Sequence, residues 1–155
     1  MYKVLKAETL AAKIHLMVVH APRVASHCQP GQFIIVKLDE KGERIPLTIC
    51  DYDREEGTVT IVFQEIGVST IKMAELKAGD AFRDFVGPLG VPAALEKKEN
   101  KVIGVAGGVG AAPLYPQLRK LAENGTKVDV IIGGKSKEYV LWADKFREFC
   151  ENVYV

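Results

Sequence analysis

Gly104-Val105-Ala106-Gly107-Gly108-Val109-Gly110-Ala111-Ala112-Pro113 is the stretch on which the fold turns. It follows a short apolar run that begins at Val102, and it leads into helical spacing through Leu114, Leu118 and Leu121 that stops at Asn124-Gly125. A buried strand at 102–106 that turns through glycines into a helix opens a parallel α/β unit. Downstream, 128–132 is a second short apolar strand, 140–149 reads as a helix, and 153–155 as the start of a third strand. Strand–helix–strand–helix–strand predicts a parallel sheet. Three such strands make half a nucleotide-binding domain, and the sequence stops inside the third. The expectation is therefore a fragment of a longer protein, with one edge of the 102–106 strand free for edge-to-edge dimerisation.

Upstream the period changes. Lys13-Ile14-His15-Leu16-Met17-Val18-Val19-His20 is apolar and β-branched, 32–38 is another such run, and Thr58-Val59-Thr60-Ile61-Val62-Phe63-Gln64 alternates with period two. Pro30-Gly31, Lys41-Gly42 and Glu56-Gly57 punctuate these runs, and a short helix at 69–76 precedes the Gly79-Asp80 turn. Short strands at this spacing predict a small antiparallel barrel. The charged run 96–101 reads as a linker or a helix end, so the domains are 1–97 and 101–155.

Bulk properties narrow the function. A net charge of +1 gives no electrostatic footprint for nucleic acid or an anionic membrane surface. The apolar runs, 128–134 among the longest, are too short to span a bilayer. Met1 leads into Tyr2-Lys3-Val4-Leu5 without a signal-peptide pattern, so the expected location is cytoplasmic. Cys28, Cys50 and Cys150 are too widely spaced for a metal motif or a disulfide framework. His15, His20 and His27 read as structural or surface residues.

Three segments can carry chemistry. At the strand-to-helix turn, glycines let backbone approach a pyrophosphate and the helix N-terminus offers N–H donors, with Gly108 and Gly110 placed against phosphate and Pro113 in the first helical turn. A tight turn without a ligand gives the same sequence. Arg44-Ile45-Pro46-Leu47-Thr48 offers a guanidinium that can fork onto phosphate and a hydroxyl on a strand; an edge strand with a surface arginine is the plainer account. Gly67, Ser69 and Thr70 present N–H and hydroxyl donors ahead of the short helix, where plain N-capping by Ser69 is the alternative.

In chain order, Pro30-Gly31-Gln32-Phe33, Arg44-Ile45-Pro46-Leu47-Thr48, Ile66-Gly67-Val68-Ser69-Thr70, Gly79-Asp80, Gly87-Pro88-Leu89-Gly90 and Gly107-Gly108-Val109-Gly110-Ala111-Ala112-Pro113 resemble the ferredoxin–NADP reductase superfamily. The branch they are most similar to holds small electron-transfer subunits: that of dihydroorotate dehydrogenase B, the small subunit of NADH-dependent ferredoxin–NADP oxidoreductase, and sulfhydrogenase gamma subunits. The resemblance runs the length of the chain.

It implies a six-stranded Greek-key barrel holding FAD, followed by an incomplete NAD(P)-binding α/β domain. Arg44 would meet the FAD phosphates, and Gly67, Ser69 and Thr70 the pyrophosphate. Pro46, Leu47 and Thr48 would line the isoalloxazine, with Thr48 near flavin N5. Gly108, Val109 and Gly110 would meet the NAD(P)H pyrophosphate. The implied activity is hydride transfer from nicotinamide C4 to flavin N5, with electrons passed singly to an iron–sulfur acceptor, a ferredoxin-like partner or a larger catalytic subunit. Leu47 stands where many members carry an aromatic residue. The branch's [2Fe–2S] cysteines belong to a longer chain and are not among these residues. Lys135 or Lys137, after the second strand, could favour a 2′-phosphate, which leaves NAD versus NADP open. Two alternatives remain: a flavin-free docking or regulatory module on the same fold, and a different enzyme whose glycine loop holds another phosphate ligand.

Overall fold

The computed structural model describes all residues, Met1–Val155, as two compact units, Met1–Pro92 and Ala93–Val155. The boundary between Pro92 and Ala93 compares with the 97–101 division expected from the charged run.

The first unit is an antiparallel barrel of two sheets. Strands β1 (Tyr2–Ala11), β2 (Ile14–His20), β5 (Asp51–Asp53), β6 (Thr58–Gln64) and β7 (Ala81–Phe82) form a sheet of order β5-β6-β2-β1-β7. Strands β3 (Phe33–Lys37), β4 (Arg44–Thr48) and β8 (Asp84–Leu89) form the other, in the order β4-β3-β8. Val4, Met17, Val19, Ile34, Val36, Ile61, Phe82 and Phe85, drawn from both sheets, bury themselves in one core. Met73 of α2 (Val68–Ala74) and Val24 of α1 (Pro22–His27) join it. Each buried aliphatic or aromatic side chain contributes about 1.5–3 kcal/mol by leaving water. Strand β1, helix α1 and strand β8 carry no clean period. Only Pro22 at the first helical position signals α1.

The second unit is the predicted parallel α/β arrangement. Strands β9 (Val102–Gly107), β10 (Val128–Gly133) and β11 (Asn152–Tyr154) run parallel in the order β11-β10-β9. The 102–106 strand therefore pairs on one side only within this chain. Helix α3 (Ala111–Glu123) packs Leu118 and Leu114 so closely on β9 that a Cβ on Gly104 would lie 2.6 Å from Leu118 Cδ1. Gly104 is thus a packing glycine. The helix expected over 140–149 is corrected to a five-residue α4 (Ala143–Arg147) after a single 3-10 turn at Lys137–Tyr139. The cause is local: Val140 is extended and Trp142 is left-handed at φ 63°, which breaks the helical run. Tyr115 of α3 compensates by gathering Trp142, Phe146 and Phe149 at ring separations of 5.2, 5.5 and 5.7 Å.

The charged run at 96–101 forms no helix and is tied down. Lys98 N–H donates to Thr126 Oγ1 at 3.0 Å, and Asn124 Nδ2 donates to the Leu95 carbonyl at 2.6 Å. Lys101 Nζ bridges Glu151 at 2.7 Å and the buried Asp129 at 3.3 Å, and these pairs raise its pKa. Asp129 also accepts from the Asn152 backbone, which ties β11 to β10. No helix is long and apolar enough to cross a membrane.

Candidate functional site

Strand β4 is an edge strand, which accommodates Pro46 without an N–H to offer. Its register fixes which way each residue faces. Ile45 and Leu47 pair with the buried Val36 and Ile34 and pack against the barrel core. Arg44, Pro46 and Thr48 pair with Lys37, Ile35 and Phe33 on the opposite, outward face. The four residues predicted as one patch, Arg44, Pro46, Leu47 and Thr48, thus divide. Arg44, Pro46 and Thr48 share a surface, whereas the Leu47 side chain turns inward.

Three of the quoted motifs meet beside that surface. Gln32, buried at 9% exposure, accepts from Gln29 N–H and donates to the Gly90 carbonyl, both at 2.9 Å. Phe33 pairs with Thr48 on one side and Leu89 on the other, and its ring lies 3.0 Å from where a Gly90 Cβ would stand. Gly90 also has φ +81°, so two independent constraints require glycine there. Gln32 and the 87–90 segment therefore brace the strand that presents Thr48. The Gly79-Asp80 turn has a structural account: Gly79 N–H donates to the Val4 carbonyl at 2.8 Å, and Asp80 accepts from Lys77 N–H at 2.8 Å.

The loop before α2 corrects one expectation. Ser69 does not cap the helix. Gly67 is the N-cap, and Thr70 Oγ1 accepts from the Gly67 and Ile66 N–H groups at 3.0 and 2.9 Å. Ser69 instead donates its hydroxyl to Glu43 at 2.7 Å, which brings this loop against the turn that starts β4. Arg44 itself is turned towards Asp84, at 3.8 Å, with its side chain 60% exposed. Ile66 and Val68 stand exposed on either side of Gly67.

In the second unit, Gly107, Gly108 and Gly110 form a distinct group. A Cβ on any of them meets nothing within 4 Å, so close packing does not explain them, and Gly108 alone needs its φ of +54°. They form the end of β9 and a 3-10 turn, Gly108–Gly110, that runs into α3. Val109 lies within that turn. Gly133, at the end of β10, pairs in register with Gly107 and is equally open. Open backbone at the carboxyl ends of adjacent parallel strands, beside a helix N-terminus, fits a pyrophosphate. Gly107, which heads the quoted 107–113 motif, and Gly133 extend this open group beyond Gly108, Val109 and Gly110. The signal for Gly133 is its position opposite Gly107 at the ends of paired strands, which needs the register.

The loop after β10 borders a cleft of about 760 Å³ lined by Gly133, Ser136, Lys137, Trp142 and Lys145, among others. Lys135 lies over the Tyr139 ring at 4.3 Å, and Ser136 donates to Glu138, whose pKa that hydrogen bond lowers. No three His, Cys, Asp or Glu side chains gather as a metal site, and the three cysteines are free. His15 Nε2 pairs with the Glu65 carboxylate at 2.7 Å, in a half-buried contact at the end of β6.

No family model matches the sequence. An uncharacterized protein in the adh 3′ region of Clostridium beijerinckii is 51% identical over 161 residues, covering 100% of this chain and 54% of that protein. The dihydroorotate dehydrogenase B electron transfer subunit homolog of Thermotoga maritima is 38% identical, covering 99% of this chain and 54% of that protein. The chain thus spans about half the length of the curated relatives it matches. Among solved structures, the NADH-dependent reduced ferredoxin–NADP oxidoreductase superposes with a TM-score of 0.93 at 37% identity, over 99% of this chain and 55% of that one. Phthalate dioxygenase reductase, at 18% identity and a TM-score of 0.75 over 99% of this chain and 50% of that one, shares the fold. An antiparallel barrel followed by a parallel α/β unit gives this chain the fold of the ferredoxin–NADP reductases, and over its whole length the sequence is similar to about half of a dihydroorotate dehydrogenase B electron transfer subunit homolog.

Proposed function

We propose that the chain binds FAD on the barrel and a pyridine nucleotide at the glycine loop, as the electron-entry part of an NAD(P)H oxidoreductase. The observation that carries this is the pair of built surfaces. One is the outward face of β4 with Arg44, Pro46 and Thr48; the other is the open cradle of Gly107, Gly108, Gly110 and Gly133. Arg44 would hold phosphate by a charge-assisted pair, exchanging Asp84 for it. Gly67, Ser69 and Thr70 would add backbone and hydroxyl donors. Pro46 and the Leu47 main chain would lie along the ring system, and Thr48 would offer a hydrogen bond at its edge. Gly108, Val109 and Gly110 would meet the dinucleotide's pyrophosphate through backbone N–H groups.

When bound, the flavin supplies the chemistry, accepting a hydride and passing on electrons. The protein's part is to orient, to pair charge and to hold the Thr48 hydroxyl in place. The expected acceptor is an iron–sulfur centre in a longer chain, a ferredoxin-like protein or a larger catalytic subunit, and the expected setting is the cytoplasm. One observation favours the flavin-free docking module instead: Ser69 and Arg44 already have carboxylate partners. The visible spectrum of the purified protein separates the two. A flavin band near ~450 nm that bleaches on adding NADH or NADPH supports the redox reading. A colourless protein that takes up no added FAD overturns it.

A further inference from the structure

The barrel face proposed for the cofactor's phosphates carries carboxylates of its own. Glu43 Oε1 accepts the Ser69 hydroxyl at 2.7 Å, across 26 residues of chain. Both residues line an open cleft of about 660 Å³ beside the β3–β4 turn and α2, together with Asp39, Glu40, Lys41 and Lys72. Three carboxylates there face two ammonium groups. The other loop hydroxyl, Thr70, is committed to backbone: it accepts from Ile66 and Gly67 N–H and donates to the Gly67 carbonyl. Ser69 is therefore the one of the two whose recorded partner is a side chain that can move away.

We propose that Glu43 is an affinity-setting residue for a phosphate-bearing flavin, an internal carboxylate that holds the Ser69 hydroxyl a cofactor phosphate must claim. This rests on the reading that FAD phosphates lie against Arg44 and Ser69. A hydroxyl has one proton to donate, so Ser69 serves Glu43 or a phosphate oxygen, not both. Once displaced, the Glu43 carboxylate stays beside the incoming anion and repels it. The cleft is open to water, where two unit charges about 4 Å apart interact by an amount equivalent to roughly fivefold in affinity. Glu43→Gln keeps the size and keeps a carbonyl to accept from Ser69, and it removes the charge.

The test is fluorescence titration of the full 155-residue chain with FAD and with riboflavin, which has no phosphate, at low salt and at about 1 M salt. Glu43→Gln should bind FAD roughly fivefold more tightly than wild type at low salt, with riboflavin affinity unchanged and the FAD gain much reduced at high salt. Glu43→Ala serves as the second variant and should tighten FAD in the same sense. Wild type that binds FAD while both variants bind it equally or more weakly overturns the role of Glu43 alone. So does an equal gain for riboflavin, which would mark a general change in the cleft. Wild type that binds no FAD overturns the FAD reading, and the role of Glu43 with it.

Discussion

The two surfaces proposed for phosphate treat their donors in opposite ways. On the barrel, Ser69 is held by Glu43, Arg44 leans on Asp84 and Thr70 caps its own helix. In the α/β unit, Gly107, Gly108, Gly110 and Gly133 leave open space in front of the backbone. The first surface must exchange partners to take a ligand, whereas the second only has to be filled. An exposed side-chain donor finds a partner within its own chain because a polar group gains by pairing. Backbone at the end of a parallel strand, stripped of Cβ atoms, keeps its ladder partners and leaves the space in front of it open.

Charge reversal probes the first surface most strongly. Arg44→Glu should leave a folded barrel, because the Arg44–Asp84 pair is long and solvent-exposed. It should remove about 2–5 kcal/mol of FAD affinity, since an attractive contact becomes a repulsive one. Isothermal titration with FAD, beside a circular dichroism spectrum, checks both halves; stoichiometric FAD in the purified variant would show that Arg44 does not meet the phosphates.

Two alanine substitutions sharpen the contrast between packing glycines and open ones. Gly104→Ala drives a methyl to within 2.6 Å of Leu118 and should destabilise the α/β unit by about 1–3 kcal/mol. Gly110→Ala meets no neighbour and sits at φ −64°, which alanine adopts freely, so stability should hold or rise by about 0.4–1 kcal/mol. Its effect should appear in nucleotide affinity, measured by quenching with NADH and NADPH. Equal nucleotide affinity in Gly110→Ala and wild type would reduce the loop to a turn.

Thr48→Val keeps shape on the outward face of β4 and removes one hydroxyl. FAD should still bind, with a changed reduction potential or rate of reduction; wild-type values for both would take Thr48 out of the flavin's hydrogen-bonding shell. The smallest effect concerns Cys150, whose thiol burial, with help from the Asp129 charge, pushes up to about 11. Because the folded pKa lies above the ordinary value of 9.0, the thiol's contribution to stability is intact below pH 9 and is lost as pH rises towards about 11. Urea midpoints between pH 8 and 11 should fall accordingly, and alkylation at pH 8 should be slow. Fast alkylation at pH 8 would mean that the packing around Phe146 opens readily.

The sequence by itself determined the order of the two folding classes, because strand and helix periods are local properties of consecutive residues. The alternation over 58–64 and the strand–glycine–helix run at 102–113 each declare an element without reference to anything distant. It also picked out most of the candidate site residues, since turn glycines and an arginine–proline strand carry their chemistry in their identity. Tertiary structure alone decided how those residues divide. Which side of β4 faces the core depends on its pairing with Ile34 and Val36, so Leu47 parts from Arg44, Pro46 and Thr48. Gly104 and Gly107 look alike in sequence; one is closed by Leu118 and the other open, because only α3 packed on β9 supplies the neighbour. The short α4 follows from a left-handed Trp142 that no residue pattern announces, and Tyr115 of α3 then gathers the rings of Trp142 and Phe146. Glu43 meets Ser69 because the fold folds a turn against a loop 26 residues away, and no local period encodes a contact at that distance.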